Sequence, residues 1–319
     1  MKGEGTAGKE AAECRSRHGM RKYHDIVGRV LGAVCLALLL TVRISVDAAA
    51  YADVAASHME SSLRQMERVR KRLQKLSYMP DAVQRTLDMN GKDRQIIDLA
   101  PGILAGYKIT CLGDSITVGA GGGVDENGRL IGYCNHLSRI LGCEVVNLGM
   151  GGTTIGDYFI ENAFVNRYEQ IPEDTDVIIL EGGLNDYQVF AQGLWNGFGD
   201  ITNREPETYC GDAYTLYQGI KDSYPNAEVF VVTASRSYLE TLYQSVEPYR
   251  LQDFMDVQRL YAKWMGFQVI DLHEMGFLDC REEAARERWL IDIVHPNAEG
   301  HLLLAERIAS ELVYYYSHQ

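Results

Sequence analysis

Lys108-Ile109-Thr110-Cys111-Leu112-Gly113-Asp114-Ser115-Ile116-Thr117 is the stretch on which the reading of this chain turns. Its first half is a short apolar run. Its second half is a tight polar turn that carries a serine, the pattern of a strand ending on a reactive side chain. In an open α/β sheet the ligand crevice lies outside the carboxyl ends of the strands, so a serine there faces a substrate.

Working outward, the same alternation repeats downstream. Strands are expected at Tyr107–Leu112, Glu144–Asn147, Val177–Glu181, Glu228–Thr233 and Phe267–Leu272, and helices near 131–141, 207–224, 249–265 and 298–315. In the last helix Leu304, Ile308 and Leu312 share one face, and Asn297 is placed to cap it. Strands alternating with helices argue for a parallel sheet covered on both faces.

Upstream the composition changes. Residues 1–80 hold 14 Lys and Arg against 8 Asp and Glu, within a chain of net charge −13, so the remainder is strongly acidic. An acidic body argues against nucleic-acid partners, which require a basic face, and the basic front suits a membrane surface. Residues 1–25 read as a disordered basic segment. The apolar run Val30 to Val42, extended to residues 26–46 if Arg29 and Arg43 snorkel, reads as a signal anchor or a signal peptide, with Ala48-Ala49-Ala50 as a cleavage site. Either form places the later domain outside the cell, anchored to the membrane or secreted. Residues 47–104 read as a helical stalk and linker. Met59, Leu63, Met66, Val69, Leu73 and Leu76 form one helical stripe, which suits a stalk, a self-associating helix or a docked helix. Asn90-Gly91 and Pro101-Gly102 mark residues 81–106 as a linker.

Seven cysteines occur, none in a Cys-x-x-Cys pair. A structural zinc site has no support, and Cys134 with Cys143 is left open as a disulfide. His273-Glu274 lacks a second histidine four residues on, so no metal site and no cofactor is expected.

A serine nucleophile needs a base, a group to hold that base, and donors for an oxyanion. Asp292-Ile293-Val294-His295-Pro296 supplies the first two: three residues apart, the carboxylate reaches imidazole Nδ1 and leaves Nε2 toward the serine. Asn147-Leu148-Gly149-Met150-Gly151-Gly152-Thr153-Thr154 brings backbone N–H groups close to a ligand. Gly183-Leu184-Asn185-Asp186 follows the third strand and points an amide into the same crevice. The Gly-x-Gly-x-x-Gly nucleotide fingerprint and the Gly-x-Ser-x-Gly elbow are both absent at these loops.

Gly-Asp-Ser, Asn-x-Gly-x-x-Gly, Gly-x-Asn-Asp and Asp-x-x-His-Pro, in that order, resemble the blocks of the SGNH (GDSL-type) esterase and acylhydrolase family, over roughly residues 105–317. The resemblance implies Ser115 as nucleophile, Asp292 and His295 as its partners, and the Ser115 N–H, Gly152 and Asn185 as oxyanion donors. Gly151 and Leu184 depart from the usual pattern, and Leu184 is expected to narrow the pocket. The implied fold for residues 105–319 is a flavodoxin-like three-layer α/β/α sandwich around a central parallel sheet. The implied activity is cofactor-free hydrolysis of carboxylic esters, with short acyl groups on extracellular carbohydrate as the expected substrates. A lysophospholipase, a thioesterase or a non-catalytic carbohydrate-binding protein would carry the same fold. The stretch Tyr187 to Thr208, with Trp195 and Phe198, is long enough to roof the crevice, and Gly119 to Gly123 reads as a flexible connection.

Overall fold

The computed structural model describes residues 56–158 and 161–319. Residues 56–76 are helical (α1). They are followed by α2 (Ala82–Leu99), β1 (Lys108–Gly113), α3 (Ser115–Val118), α4 (Tyr133–Leu141), β2 (Glu144–Gly149) and β3 (Val177–Glu181). Next come α5 (Leu184–Ala191), α6 (Tyr209–Ser223), β4 (Glu228–Val232), α7 (Tyr238–Leu242) and α8 (Leu251–Met265). The chain ends with β5 (Gln268–Ile270), α9 (Leu272–Met275), α10 (Glu283–Trp289) and α11 (Ala298–Ser317).

The five strands are parallel, in the order β2-β1-β3-β4-β5. This is the flavodoxin-like winding, and the chain reverses its direction of winding between β1 and β3. At that switch point the loops leaving adjacent strands diverge and open a crevice. Ser115 follows β1 and Asn185 follows β3, so both stand at its mouth.

The three inner strands are apolar on both faces because both faces are covered. Ile109, Cys111, Val177, Ile179, Phe230 and Val232 pack with α4 and α11 residues such as Leu137, Leu304 and Ile308. Leu112, Ile178, Leu180, Val229 and Val231 alternate with them and pack with Tyr187, Leu216 and Phe254 of α5, α6 and α8. The period of two is the strand geometry itself. The edge strand β2 is only partly buried. At the start of α11, Asn297 Oδ1 accepts the Gly300 N–H at 3.0 Å, the cap expected from the sequence. Cys134 and Cys143 are free, buried thiols.

The linker expected over residues 81–106 is corrected: most of it is the 18-residue helix α2, capped by Asp81, whose carboxylate accepts the Gln84 N–H at 2.9 Å. Its packed face mixes Met89 and Ile96 with buried Arg85, Thr86, Asn90 and Asp93, so no apolar period shows in the sequence. Each polar group finds a partner on the domain. Arg85 donates to Gly276 O at 2.8 Å, the Thr86 hydroxyl accepts the Leu278 N–H at 3.2 Å, and Asp93 meets Arg307 at 2.8 Å. From the stripe on α1, Met66, Val69 and Leu73 are buried, and Met66 and Val69 join the same core as α2. Residues 1–25 and the expected membrane segment 26–46 lie outside the described residues. Among the described residues no helix is long and apolar enough to cross a membrane.

Candidate active site

Ser115 opens α3 directly beyond β1. The turn is possible only because Gly113 has no side chain: a Cβ there would lie 1.9 Å from Thr117 Oγ1 and 2.8 Å from the Glu181 carbonyl oxygen. Asp114 caps the short helix, its Oδ1 accepting the Ile116 N–H at 2.9 Å. Below it, the Thr117 hydroxyl donates to Glu181 Oε2 and meets the Tyr133 hydroxyl, each at 2.9 Å. Asn147 of β2 donates its amide to Thr117 O at 2.8 Å. The serine therefore rides on a one-turn helix fixed from two neighbouring strands.

His295 comes from the loop between α10 and α11. Its Nε2 is 3.0 Å from Ser115 Oγ, and its Nδ1 is 2.7 Å from Asp292 Oδ2. The other Asp292 oxygen accepts the Val294 and His295 N–H groups, both at 2.7 Å. Burial opposes charge on Asp292, but the bonds from the His295 ring and these backbone groups outweigh it and hold the carboxyl below its usual range. An ionised carboxylate only accepts, so the proton of the neutral ring sits on Nδ1 and Nε2 is left to accept from the serine. The bond from Ile291 N–H to His295 O at 3.0 Å closes the loop and fixes the ring's approach.

The glycine loop after β2 passes alongside the hydroxyl: a Cβ on Gly151 would stand 3.9 Å from Ser115 Cβ. Gly152 has φ 76°, in the left-handed region that favours glycine, and its N–H makes no hydrogen bond among the described residues. Asn185, in the first turn of α5, donates Nδ2 to Thr153 O at 3.0 Å and lies 3.4 Å from Asp114 Oδ2. The five residues singled out in the sequence thus meet at one edge of the sheet.

Three supporting residues were given no role from the sequence, although Asp186 stands in the Gly-x-Asn-Asp block. Arg167, buried, donates to Gly113 O at 2.6 Å, to Leu148 O, and to Thr153 Oγ1 at 3.3 Å, tying the ends of β1 and β2 to the glycine loop. Burial pushes its pKa down to about 10. Asp186 accepts the Ile155 N–H at 3.1 Å, the Gly156 N–H at 3.3 Å and the Tyr158 hydroxyl, latching α5 to the same loop. Its own burial raises its pKa to about 6. Glu181 lies fully buried under α3, and burial, then the Asp114 charge, pushes its carboxyl well above the usual range. Only the folded topology brings Arg167 and Glu181 to the site, which is why spacing could not find them.

Of the flanking stretches, Tyr187 to Thr208 is partly helix α5, and Trp195 stacks on Tyr158 with centroids 3.7 Å apart. Gly119 to Gly123 packs more closely than the flexible connection expected, with His301 Nε2 2.9 Å from Ala120 O. Leu184 is buried and lines a small cavity with Ile116, Ala234 and Val294. Among the described residues no cluster of three or more His, Cys, Asp or Glu is arranged to hold a metal ion.

A doubly wound α/β/α sheet with serine, histidine and aspartate bonded in series at its carboxyl edge defines a class, the ester-cleaving hydrolases that work without an elbow motif. Within it, residues 111–303 match the model of the GDSL-like lipase/acylhydrolase family, and the chain belongs to that family. A structure from Lactobacillus plantarum is 26% identical with a TM-score of 0.55, over 65% of this chain and 97% of that one. A possible lipase from Chitinophaga pinensis is 18% identical with a TM-score of 0.50, over 64% and 97%. An acetylxylan esterase from Geobacillus stearothermophilus is 19% identical with a TM-score of 0.48, over 66% and 96%. No curated protein matches the chain significantly.

Proposed function

We propose that this hydrolase removes short acyl groups from carbohydrate through an acyl-enzyme on Ser115. The observation that carries the reading is the pair of bonds in series, 2.7 Å from Asp292 to His295 and 3.0 Å from His295 to Ser115. His295 takes the serine proton as Oγ attacks the acyl carbon, and Asp292 stabilises the imidazolium that forms. The carbonyl electrons move onto oxygen, where the N–H groups of Ser115 and Gly152 and the Asn185 amide are assigned as donors. Collapse breaks the bond to the alcohol oxygen, which receives the proton from His295. Water repeats the two steps and releases the acid.

Short acyl groups are supported by a cavity of about 50 Å³ lined by Ile116, Leu184, Ala234, Ile293 and Val294. Three of these, Ile116, Leu184 and Val294, are the sequence neighbours of Ser115, Asn185 and His295. A hydrophilic alcohol half is supported by the polar sheet edge beyond it, where Arg236, Glu240, Thr241 and Gln244 line an open cleft. One observation favours a lipid ester instead: Ile291 and Ile293, on either side of Asp292, are 61% and 41% exposed.

A p-nitrophenyl ester series from acetate to octanoate, run beside acetylated sugars and a lysophospholipid, tests the reading. Acetate or propionate should give the highest kcat/KM, with a fall of about tenfold or more by octanoate, because each methylene must fit the cavity. A profile that rises with chain length, or turnover of the lysophospholipid above the sugars, would contradict it.

A further inference from the structure

Strand β3 ends on an acid, Glu181, which stands opposite Gly113 in the parallel ladder, about 5 Å across it. Ser115 lies just beyond Gly113. The Glu181 side chain reaches the one-turn helix that Ser115 opens, where its Oε2 accepts the Thr117 hydroxyl at 2.9 Å. Glu181 is 3% exposed, and it lines the cavity of about 50 Å³ that Ile116, Leu184 and Val294 also border. Apart from Glu181 and the turn Ser235-Arg236-Ser237, that lining is apolar. A cavity of this size holds about three or four water-sized groups, the tail of a short acyl chain.

A buried carboxyl needs partners for both of its oxygens. Among the described residues no protein group bonds Glu181 Oε1. Arg236, the cation on the lining, is engaged elsewhere: its Nε donates to His273 O at 2.8 Å, and its Nη1 lies 3.9 Å from Asp279. Ser237 Oγ accepts the Leu239 N–H at 3.2 Å. With the Thr117 proton directed at Oε2, a neutral Glu181 carries its own proton on Oε1 and offers a donor. An ionised Glu181 offers an acceptor at the same atom. A hydroxyl group, which both donates and accepts, answers either state. Burial, then the Asp114 charge, opposes ionisation of the carboxyl, which disfavours an ammonium as its partner.

We infer that Glu181 Oε1 selects the acyl half of the ester, so that the preferred acyl group is a short chain bearing a hydroxyl. The apolar walls take the carbons of the chain, and the carboxyl takes its one polar group. An alkanoyl chain of the same size leaves Oε1 without a partner, and a site built to bond a hydroxyl discriminates against the analogue that lacks it. This deepens the esterase reading of Ser115 and rests on it for the acyl chain lying in this cavity.

Hydrolysis by the full chain of ethyl lactate against ethyl propionate, and of ethyl 3-hydroxybutyrate against ethyl butyrate, tests the assignment. Each pair shares its leaving group and differs by one hydroxyl. Dividing every kcat/KM by the rate of the same ester in hydroxide removes intrinsic reactivity. The wild-type protein should favour the hydroxylated member of at least one pair by about tenfold or more, the size of one buried hydrogen bond. Glu181→Leu, apolar and of similar bulk, should abolish or reverse that preference, with thermal unfolding reporting that the variant is folded. Glu181→Gln, whose amide both donates and accepts, should keep part of it. The wild-type ratios decide the matter even without a variant: equal normalised rates in both pairs would show that water alone meets Oε1, and would overturn the inference. A preference that persists in folded Glu181→Leu, or a stronger preference for ethyl alaninate than for ethyl lactate, would overturn it as well. Turnover of the alkanoyl esters without the hydroxyl preference leaves the esterase reading standing. No turnover of any of these esters or of p-nitrophenyl acetate would overturn that reading, and this inference with it.

Discussion

The Ser115 hydroxyl and His295 Nε2 stand 3.0 Å apart across 180 residues of chain. Their partnership was legible because each carries a local signature: a serine closing an apolar strand, and an aspartate three residues before a histidine. Asn185 was legible in the same way, as the first polar side chain beyond a buried strand. Its amide donates to Thr153 O at 3.0 Å and, over a longer 3.4 Å, to Asp114 Oδ2, so the weaker of the two bonds is the one a developing oxyanion would displace. Asn185→Ala should lower kcat by about 10²–10³ with little change in KM, the signature of a donor used in the transition state. Steady-state kinetics on p-nitrophenyl acetate would check this, and a rise in KM at constant kcat would assign Asn185 to ground-state binding. Arg167 was not legible, and Asp186, although it stands in the Gly-x-Asn-Asp block, was not legible as a latch. Each works by reaching carbonyls or N–H groups on elements far from it in sequence, and one-dimensional spacing holds no trace of that.

Among the elements, the strands were read nearly to the residue because a buried parallel strand is an unbroken apolar run, as in Val177–Glu181. Helix α2 was lost for the opposite reason. Asn90-Gly91 imitates a turn, yet Asn90 is buried in mid-helix and its amide reaches Glu306 at 2.5 Å. A helix that docks through polar partners as well as Met89 and Ile96 leaves no clean period of 3.6. The consequence is measurable. Met89 and Ile96 are both fully buried, so Met89→Ala and Ile96→Ala should each cost about 2–5 kcal/mol of stability. Gln84→Ala, on the exposed side of the same helix, should change it by less than about 0.5 kcal/mol. Urea unfolding of the three variants would decide it, and three equal midpoints would return residues 82–99 to the status of a linker.

Taken whole, the molecule buries several acids beneath its active edge, and burial makes each of them harder to ionise. Burial, then the Asp186 charge, raises Asp114 to about 7, and burial raises Asp186 to about 6. Glu181 is pushed higher still, by burial and then by Asp114. A carboxyl whose folded pKa lies above its unfolded value holds a proton that unfolding releases. Stability from such groups is therefore greatest at low pH and falls as pH climbs from the unfolded values near 4 through about 7. Thermal unfolding should show a lower Tm at pH 7 than at pH 5. Glu181→Gln, which copies the neutral acid, should gain more over wild type at pH 7 than at pH 5. Parallel pH curves for the two proteins would remove Glu181 from this account. The sheet, the crevice at its switch point and the stacked Ser-His-Asp contacts converge on one claim, that Ser115 is the nucleophile of an esterase. Labelling the active protein with a fluorophosphonate and locating the adduct by peptide mass spectrometry tests it most directly. The adduct should fall on Ser115, and Ser115→Ala should lose both labelling and ester turnover while unfolding at the wild-type temperature. An adduct on another residue, or wild-type turnover by the folded alanine variant, would contradict the claim.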